Sequence, residues 1–383
     1  MATGYCPSIL LHLAALGGCD TAKKLHPTGF LSAVLSSMDG SATTELEQQY
    51  AAGHKRVAAV KYRKRPLASA VVDGMVDCDV STTNPYAEFT PTSLITKSKS
   101  VFIDYATIRQ YCADASNPVN ITKTSNGTVM LNNQTRAMQE VYDLILSEAT
   151  ALVKGINIAL VTAMSTTFGK NVTTGLATSK AISFSLTSNG MSDAFVTLMA
   201  DARENEICDT DGLTLVGSGP FANLDLIRKW FANGPADNGL NKANMLDSFP
   251  NVFYDKDAAS IWGANQVGMF EKGSVALVNY PQYVGGFAGK MANSELFNMR
   301  LPLADFCCPQ PFLDRLAIDV QIVENDCPTS MTLDGGAAAS AGMGVNVILS
   351  WTGALFVRPT TLYRTGDPLD GVNGALRYTI TAS

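Results

Sequence analysis

The residues able to do acid–base, nucleophilic or metal chemistry are few and far apart in this sequence. Its three histidines are His12, His26 and His54, all near the start of a chain of 383 residues. A nucleophilic serine or cysteine needs a histidine within hydrogen-bond reach, and the HExxH zinc motif needs two on one helix face. HExxH is absent, and a later nucleophile would need one of these early histidines folded back onto it. We therefore expect no catalytic residue and no metal ligand.

Two segments partly match ligand-binding motifs, but their residues do not complete either motif. Residues 215–220 are glycine-rich, but they match neither GxGxxG nor GxxxxGK[ST], and Pro220 removes a backbone donor that a phosphate would need. Asp209, Asp211 and Gly212 resemble the start of a calcium loop, but the glutamate that closes such a loop does not follow. We interpret both segments as turns and predict no cofactor.

The strongest concentration of charge is a basic segment near residue 60. Six positive side chains fall within eleven residues: Lys55, Arg56, Lys61, Arg63, Lys64 and Arg65. After Pro66, residues 70–72 could form a second strand, and three aspartates follow: Asp73, Asp77 and Asp79. The alternation predicts a two-stranded excursion over 54–80, with a basic limb and an acidic limb. Neither limb has enough apolar residues for a core, so the excursion must lie on another surface.

The basic limb has two possible partners. It could contact nucleic acid phosphates, or it could pair with acidic groups on its own second limb or on another subunit. Tyr62 is its single aromatic residue, whereas a base-stacking platform uses several aromatic side chains. We favour the subunit contact.

Composition limits the classes of protein that this chain can be. A hydrophobic content of 46% is ample for two or three domains, and a formal net charge of −6 argues against a globally basic nucleic-acid binder. Eight cysteines are scattered without a CxxC pair, which favours reduced thiols in an intracellular compartment. We expect no transmembrane helix, because no apolar run approaches about 18–20 residues, and no signal peptide, because no Lys or Arg precedes the early apolar run at 9–16.

The longest regular pattern is an apolar stripe over residues 134–168. Apolar residues such as Met138, Tyr142, Ile145 and Ile156 recur there at spacings of three and four. This periodicity predicts one long amphipathic helix of roughly 50 Å at about 1.5 Å per residue. Such a rod can span a whole molecule, so we expect other elements to lie along it.

Other patterns place shorter elements before and after this helix. Residues 1–53 suggest an arm with short helices, including one at 30–38, and 92–111 a strand followed by a short helix. From 188 to 342 strands and helices alternate, which predicts an α/β lobe. Its expected helices are 191–205, 224–231 and 258–270, and its expected strands are 213–217, 252–254 and 275–278. The tail alternates at 345–351 and 376–380, which predicts antiparallel strands that rejoin an earlier domain.

In this order, the elements resemble the major capsid protein of tailed bacteriophages, a fold shared with herpesvirus shells. Short sequence segments are also similar to capsid proteins of phages and prophages of Bacteroidetes-type hosts. They are AAGHKRVAAVKYRKR, ARENEICDTDGLTLVGSG and MFEKGSVALVNYPQYVGG. The resemblance implies an α+β fold with a long spine helix, an extended β-hairpin loop, a peripheral β-sheet and an α/β axial domain. Carried onto this chain, it implies an arm at 1–53, the extended loop at 54–80, a peripheral domain at 81–187 with 343–383, and an axial domain at 188–342.

The resemblance also implies a function. It implies a structural virion protein, not an enzyme, that self-assembles as hexamers and pentamers into an icosahedral capsid around double-stranded DNA. The implied partners are other copies of the chain, a portal, scaffold or decoration proteins, and packaged DNA held by non-specific contact. Assembly would take place in the bacterial cytoplasm, and no membrane partner is implied. The alternatives are a tail tube or portal protein, a two-lobed solute-binding protein, and an α/β enzyme that uses carboxylates.

The charged segments then predict one contact between copies. We expect the basic limb of a neighbour to cross the more polar positions of the long helix, Glu140, Asp143 and Glu148. Charge reversal at Arg63 and Arg65 should then damage assembly more than folding of the single chain.

Overall fold

A computed structural model describes sixteen segments of the chain. They are residues 29–37, 60–63, 86–89, 94–123, 129–176, 179–184, 188–207, 213–218, 251–280, 287–291, 294–300, 316–325, 330–332, 338–340, 344–360 and 368–382. The helices are α1 (Gly29–Ser37), α2 (Tyr105–Ser116), α3 (Arg136–Ser165), α4 (Ser188–Glu204) and α5 (Lys256–Ile261). The strands are β1 (Val60–Arg63), β2 (Tyr86–Phe89), β3 (Ile95–Asp104), β4 (Ile121–Lys123), β5 (Val129–Leu131), β6 (Lys180–Phe184), β7 (Thr214–Gly217), β8 (Asn251–Tyr254), β9 (Gln266–Phe270), β10 (Val275–Asn279), β11 (Phe287–Met291), β12 (Ser294–Arg300), β13 (Ala317–Asn325), β14 (Ser330–Thr332), β15 (Ala338–Ser340), β16 (Gly344–Val357) and β17 (Ala375–Ala382). The fold is mixed α and β with a long helix, as predicted.

The chain divides into two compact units, each made of several separate stretches. The first unit contains Met1–His26, Ile95–Ile156 and Asn279–Gly353, and the second contains Pro27–Leu94, Asn157–Val278 and Ala354–Ser383. The helix α3 and the strands β10 and β16 each run through a division point. The peripheral and axial domains expected from the sequence divide the chain elsewhere, and they stay a prediction.

The first unit is built on an antiparallel sheet around β16. The sheet has the order β10-β16-β13-β12-β11, and β3 also pairs with β16. One face carries buried Val345, Val347, Leu349 and Trp351, which alternate along β16 as the sequence predicts. The strands β11 to β13 had no counterpart in the sequence-based expectations.

The second unit is built on a mixed sheet with the order β6-β17-β9-β7-β8. The strand β17 is parallel to β6 and antiparallel to β9. Buried apolar residues of α4, including Leu198 and Ala202, form one core cluster with residues of this sheet. The two tail strands therefore lie in different sheets, each beside strands that come earlier in the chain.

The helix α3 confirms the long helix expected from the sequence. It spans 30 residues, about 45 Å at 1.5 Å per residue. Its apolar face is buried along its length, from Met138 to Met164. Among the described residues, α3 is also long and apolar enough to cross a membrane despite Glu148 and Lys154, and half of its most apolar window is buried inside the protein. A buried core helix meets the same criteria, which makes this weak evidence for a membrane span.

The helix α1 lies within the segment that the sequence assigned to an arm. It is buried on all sides, since every residue from Phe30 to Leu35 is at most 2% exposed. The ring of Phe30 lies edge-on to Trp262, with centroids 5.6 Å apart, and contacts Phe270 at 5.7 Å. Residues 30–35 are thus part of the core of the second unit, whereas residues 1–28 and 38–53 lie outside the described residues.

The helix expected at 258–270 is wrong. The chain there forms the short helix α5 and then the strand β9. Gly263 (φ 119°) and Asn265 (φ 60°) lie between them in left-handed backbone conformations, which end the helix. The buried residues of β9 fit a helical spacing as well as a strand, so the apolar pattern did not separate the two.

Candidate assembly surface

One face of α3 stays open to solvent along the whole helix. Its exposed residues recur at helical spacing: Arg136, Glu140, Leu144, Ser147, Lys154, Ile158 and Thr162. Two of them are large apolar side chains, with Leu144 exposed to 43% and Ile158 to 38%. The stripe therefore offers a partner both charged groups and apolar contacts.

The three acidic positions predicted to meet a neighbour have partners in their own chain; Glu140 belongs to this stripe, and Asp143 and Glu148 border it. Glu140 accepts a hydrogen bond from Arg136 (Nε–Oε1 2.8 Å) one turn earlier. Asp143 accepts one from Gln139 (Nε2–Oδ1 3.1 Å). The Oε2 atom of Glu148 lies 4.0 Å from Nζ of Lys99 on β3. Exposed pairs of this kind contribute about 0–1 kcal/mol and exchange readily for other partners.

The basic limb is described over β1 alone. Lys61 and Arg63 lie in this strand, and the positions directly opposite them on β2 are Glu88 and Tyr86. The other four basic positions, Lys55, Arg56, Lys64 and Arg65, lie outside the described residues, as does the second strand expected at 70–72. The described strand that pairs with β1 lies later in the chain than that expectation. The contact between the basic limb and α3 stays a prediction.

The beginning of β3 is an exposed part of the first unit. Residues Thr96 to Ser100 are all exposed, whereas Val101 and Ile103 further along are buried. Lys97 and Lys99 supply two positive charges to this stretch. Sequence reasoning missed these lysines, although the alternation in ITKSKS is typical of a strand with one charged face.

A buried carboxylate holds α1 in the second unit. Asp255 is fully buried, and its Oδ2 accepts hydrogen bonds from the backbone N–H of Phe30 (2.7 Å) and from Asn157 Nδ2 (3.0 Å). Its Oδ1 accepts from the backbone N–H groups of Asp257 (2.8 Å) and Ala258 (3.1 Å) at the start of α5. Burial raises the pKa of Asp255, and these hydrogen bonds oppose the rise. The first turns of α1 and α5 thus share one acceptor.

A second buried carboxylate ties α4 to the sheet of the second unit. Asp201 is 2% exposed and accepts hydrogen bonds from Asn171 Nδ2 (2.6 Å) and from the hydroxyls of Tyr378 and Thr173 (2.7 Å each). Lys180 on β6 forms an ion pair with it. Burial opposes its ionisation, but the hydrogen bonds outweigh that effect and lower the pKa of Asp201. All five side chains lie in the second unit, so the cluster joins its helix to its strands.

The described residues contain no group of three or more His, Cys, Asp and Glu side chains that could hold a metal ion. The carboxylates of Asp255 and Asp201 are occupied by backbone and side-chain donors of their own unit. Their geometry accounts for structural roles, and the chemistry available on the surface of the described segments is that of charged and apolar contacts.

Comparison with known proteins gave structural likenesses alone. No family model and no curated protein matches the chain. The solved capsid asymmetric unit of cyanophage A-1(L) is 13% identical, with a TM-score of 0.48 and 96% of each chain covered. A structure from Mycobacterium phage Adephagia is 12% identical, with a TM-score of 0.41, and covers 95% of this chain and 92% of that one. The mature capsid of bacteriophage PhiM1 is 9% identical, with a TM-score of 0.36 over 85% and 82%. Likeness at this level does not by itself assign a family or a function.

Proposed function

We propose that this chain is the major capsid protein of a tailed bacteriophage. Many copies assemble as hexamers and pentamers into an icosahedral shell that encloses double-stranded DNA. The observation that carries the proposal is the 30-residue helix α3, which keeps one face open along its length while its other face is buried. A shell tile needs long surfaces that neighbouring copies can cover, and an open face with both charges and Leu144 and Ile158 suits that use.

The buried carboxylates described above have structural partners. In the segments that the structure describes, the buried polar side chains at Asp255 and Asp201 are taken up by contacts within one unit. The protein acts through its surfaces, and we assign it no reaction. In the virion it contacts packaged DNA without sequence preference, and it meets a portal and scaffold or decoration proteins during assembly in the bacterial cytoplasm.

The proposed contact between copies joins the basic limb near residue 60 to α3. Glu140, Asp143 and Glu148 lie at the border of the open face and exchange their weak intrachain partners for arginines and lysines of a neighbour. In the same proposal, 188–342 forms the axial domain at the symmetry axes, and 81–187 with 343–383 forms the peripheral domain.

Size measurement and negative-stain imaging of the purified chain test this function. We expect icosahedral particles of megadalton mass by light scattering. Tubes or rings would indicate a tail tube or portal protein. A stable monomer under all native conditions would contradict the capsid function.

A further inference from the structure

The outer edge of β3 is open over the first half of the strand. Every residue of β3 pairs with β16, from Ile95 opposite Gly353 to Asp104 opposite Gly344. No other described strand pairs with β3. Residues Thr96 to Ser100 are exposed on both faces of the sheet. Their outward backbone N–H and C=O groups are therefore placed to pair with an added strand.

On β3, the apolar face of the sheet continues into two lysine positions. Val101 is opposite Val347 on β16, and both are buried. The same face of β3 continues with Lys99 opposite buried Leu349 and with Lys97 opposite buried Trp351. Val101, Lys99 and Lys97 share one face because side chains two positions apart point the same way.

These lysines decide which strand can pair with the edge. A second β3 or a basic segment would bring like charges together across the strands, which is destabilising. An acidic segment with carboxylates two positions apart would place both charges opposite the lysines, since the spacing of about 6.4–6.8 Å is the same on every strand. Lys99 has one described anionic neighbour, Glu148, at 4.0 Å, and its side chain is still 51% exposed. This leaves room for a second carboxylate.

The chain itself contains such a segment. In the sequence VVDGMVDCDV at 71–80, Asp77 and Asp79 are two positions apart, as Lys97 and Lys99 are. An antiparallel register that sets Asp79 opposite Lys97 also sets Asp77 opposite Lys99. Opposite charges then face each other at both lysines of the open half of the strand.

We propose that residues 76–80 of a second copy add as an antiparallel strand to the outer edge of β3. This rests on the proposed function, because it names one contact of the assembling subunit. Thr96 to Ser100 are exposed, and the variant mixture described below distinguishes pairing between copies from pairing within one chain. The acidic limb thereby has a receptor strand beside the face of α3 proposed for the basic limb, since Lys99 and Glu148 lie 4.0 Å apart.

Charge exchange between the two segments tests the proposal. Lys97→Glu/Lys99→Glu and Asp77→Lys/Asp79→Lys are each expected to lower particle yield by at least about tenfold, because like charges then face each other. The variant with all four changes is expected to recover the yield. Co-expression of the two double variants is also expected to recover particles, since the reversed strand of one copy then meets the reversed edge of the other.

The control is Arg109→Glu/Arg203→Glu, which makes the same change of charge at two other exposed positions and should leave the yield unchanged. Circular dichroism of the unassembled chains checks that each variant folds. If the fourfold variant recovers the yield and the mixture does not, the contact lies within one chain and the proposal is overturned. Full assembly of the Lys97→Glu/Lys99→Glu variant also overturns it while leaving the capsid function in place. Absence of particles from the unmodified chain counts against the capsid function itself.

Discussion

Asp255 shows how single residues hold the second unit together. It is buried without a described cation, and four N–H donors surround it. Three of these are backbone groups in the first turns of α1 and α5, where the helix dipole favours a negative charge. Two helix starts thus stabilise one buried carboxylate, and the carboxylate in turn positions both helices.

We expect Asp255→Asn to destabilise the second unit. An asparagine keeps the shape but points an NH2 group at backbone donors, which leaves buried N–H groups unpaired at a cost of about 1–3 kcal/mol each. Urea unfolding of the unassembled chain should show a loss of about 3 kcal/mol. Asp370→Asn, at a half-buried position in the same unit, is the control and should change little. Equal stability of the two variants would contradict the role of Asp255 in holding α1.

Asp201 contributes stability that depends on pH. Its hydrogen bonds and the Lys180 ion pair lower its pKa in the folded chain below the ordinary value of 3.8. A lowered folded-state pKa means that this stability is present above pH 3.8 and is lost as the pH falls through the folded-state pKa.

The measurement is the difference in unfolding free energy between the natural chain and Asp201→Asn as a function of pH. We expect the natural chain to be more stable near neutral pH and the difference to shrink below about pH 4. Asp143→Asn, which removes a half-exposed carboxylate, should give a smaller difference at every pH. A difference that grows on acidification would contradict this assignment.

At the scale of elements, α3 stays helical through its residue of lowest helix propensity. Gly155 lies inside the helix, where glycine costs about 1 kcal/mol relative to alanine. A Cβ added there would meet no atom within 4 Å, so neither packing nor close approach explains the glycine. Gly169, just beyond the helix, is different, because an added Cβ would lie 2.2 Å from Oδ1 of Asn373.

Gly155→Ala should therefore stabilise the unassembled chain by about 0.5–1 kcal/mol, through lower entropy of the unfolded backbone. Gly169→Ala should destabilise it, because Asn373 must move from its hydrogen bond to the Thr167 carbonyl (2.9 Å). Thermal unfolding of both variants measures the opposite signs. A loss of stability in Gly155→Ala would show that the position is constrained by something outside the single chain's packing.

At the scale of the whole molecule, the proposed assembly uses surface charges for contacts between copies. The exposed ion pairs at Glu140 and Glu148 are weak within one chain, and the basic limb near residue 60 has few apolar residues of its own. Assembly repeats each such contact many times, so a modest energy per contact is enough to stabilise a shell.

Charge reversal in the basic limb tests this arrangement. Arg63→Glu/Arg65→Glu should lower particle yield strongly while the unfolding midpoint of the unassembled chain changes little. Salt should weaken assembly of the natural chain in the same direction, because exposed charges are screened within about 10 Å at 0.1 M. Arg109→Glu/Arg203→Glu again serves as the matched control. If folding and assembly are lost to the same extent, the contact with Glu140, Asp143 and Glu148 is not supported.

The sequence by itself determined the elements whose signal is local. The apolar face of α3 recurs over 30 residues, and the alternation along β16 is regular, so both could be predicted from neighbouring residues. The outward positions on α3, including Glu140, followed from the same periodicity. A local pattern is enough here because a helix face or a strand face is set by residues close in the chain.

The tertiary structure alone decided pairing and burial. The sequence alone did not distinguish the lysines of β3 from other surface lysines. The strand β16 follows about 250 residues later and places Trp351, which is buried, opposite Lys97. The short helix α1 became a core element through Asp255, and β9 became a strand because left-handed backbone at Asn265 ended the helix and two neighbouring strands accepted its hydrogen bonds. These outcomes depend on contacts between residues far apart in the chain, and no local period encodes which distant strand or carboxylate a segment will meet.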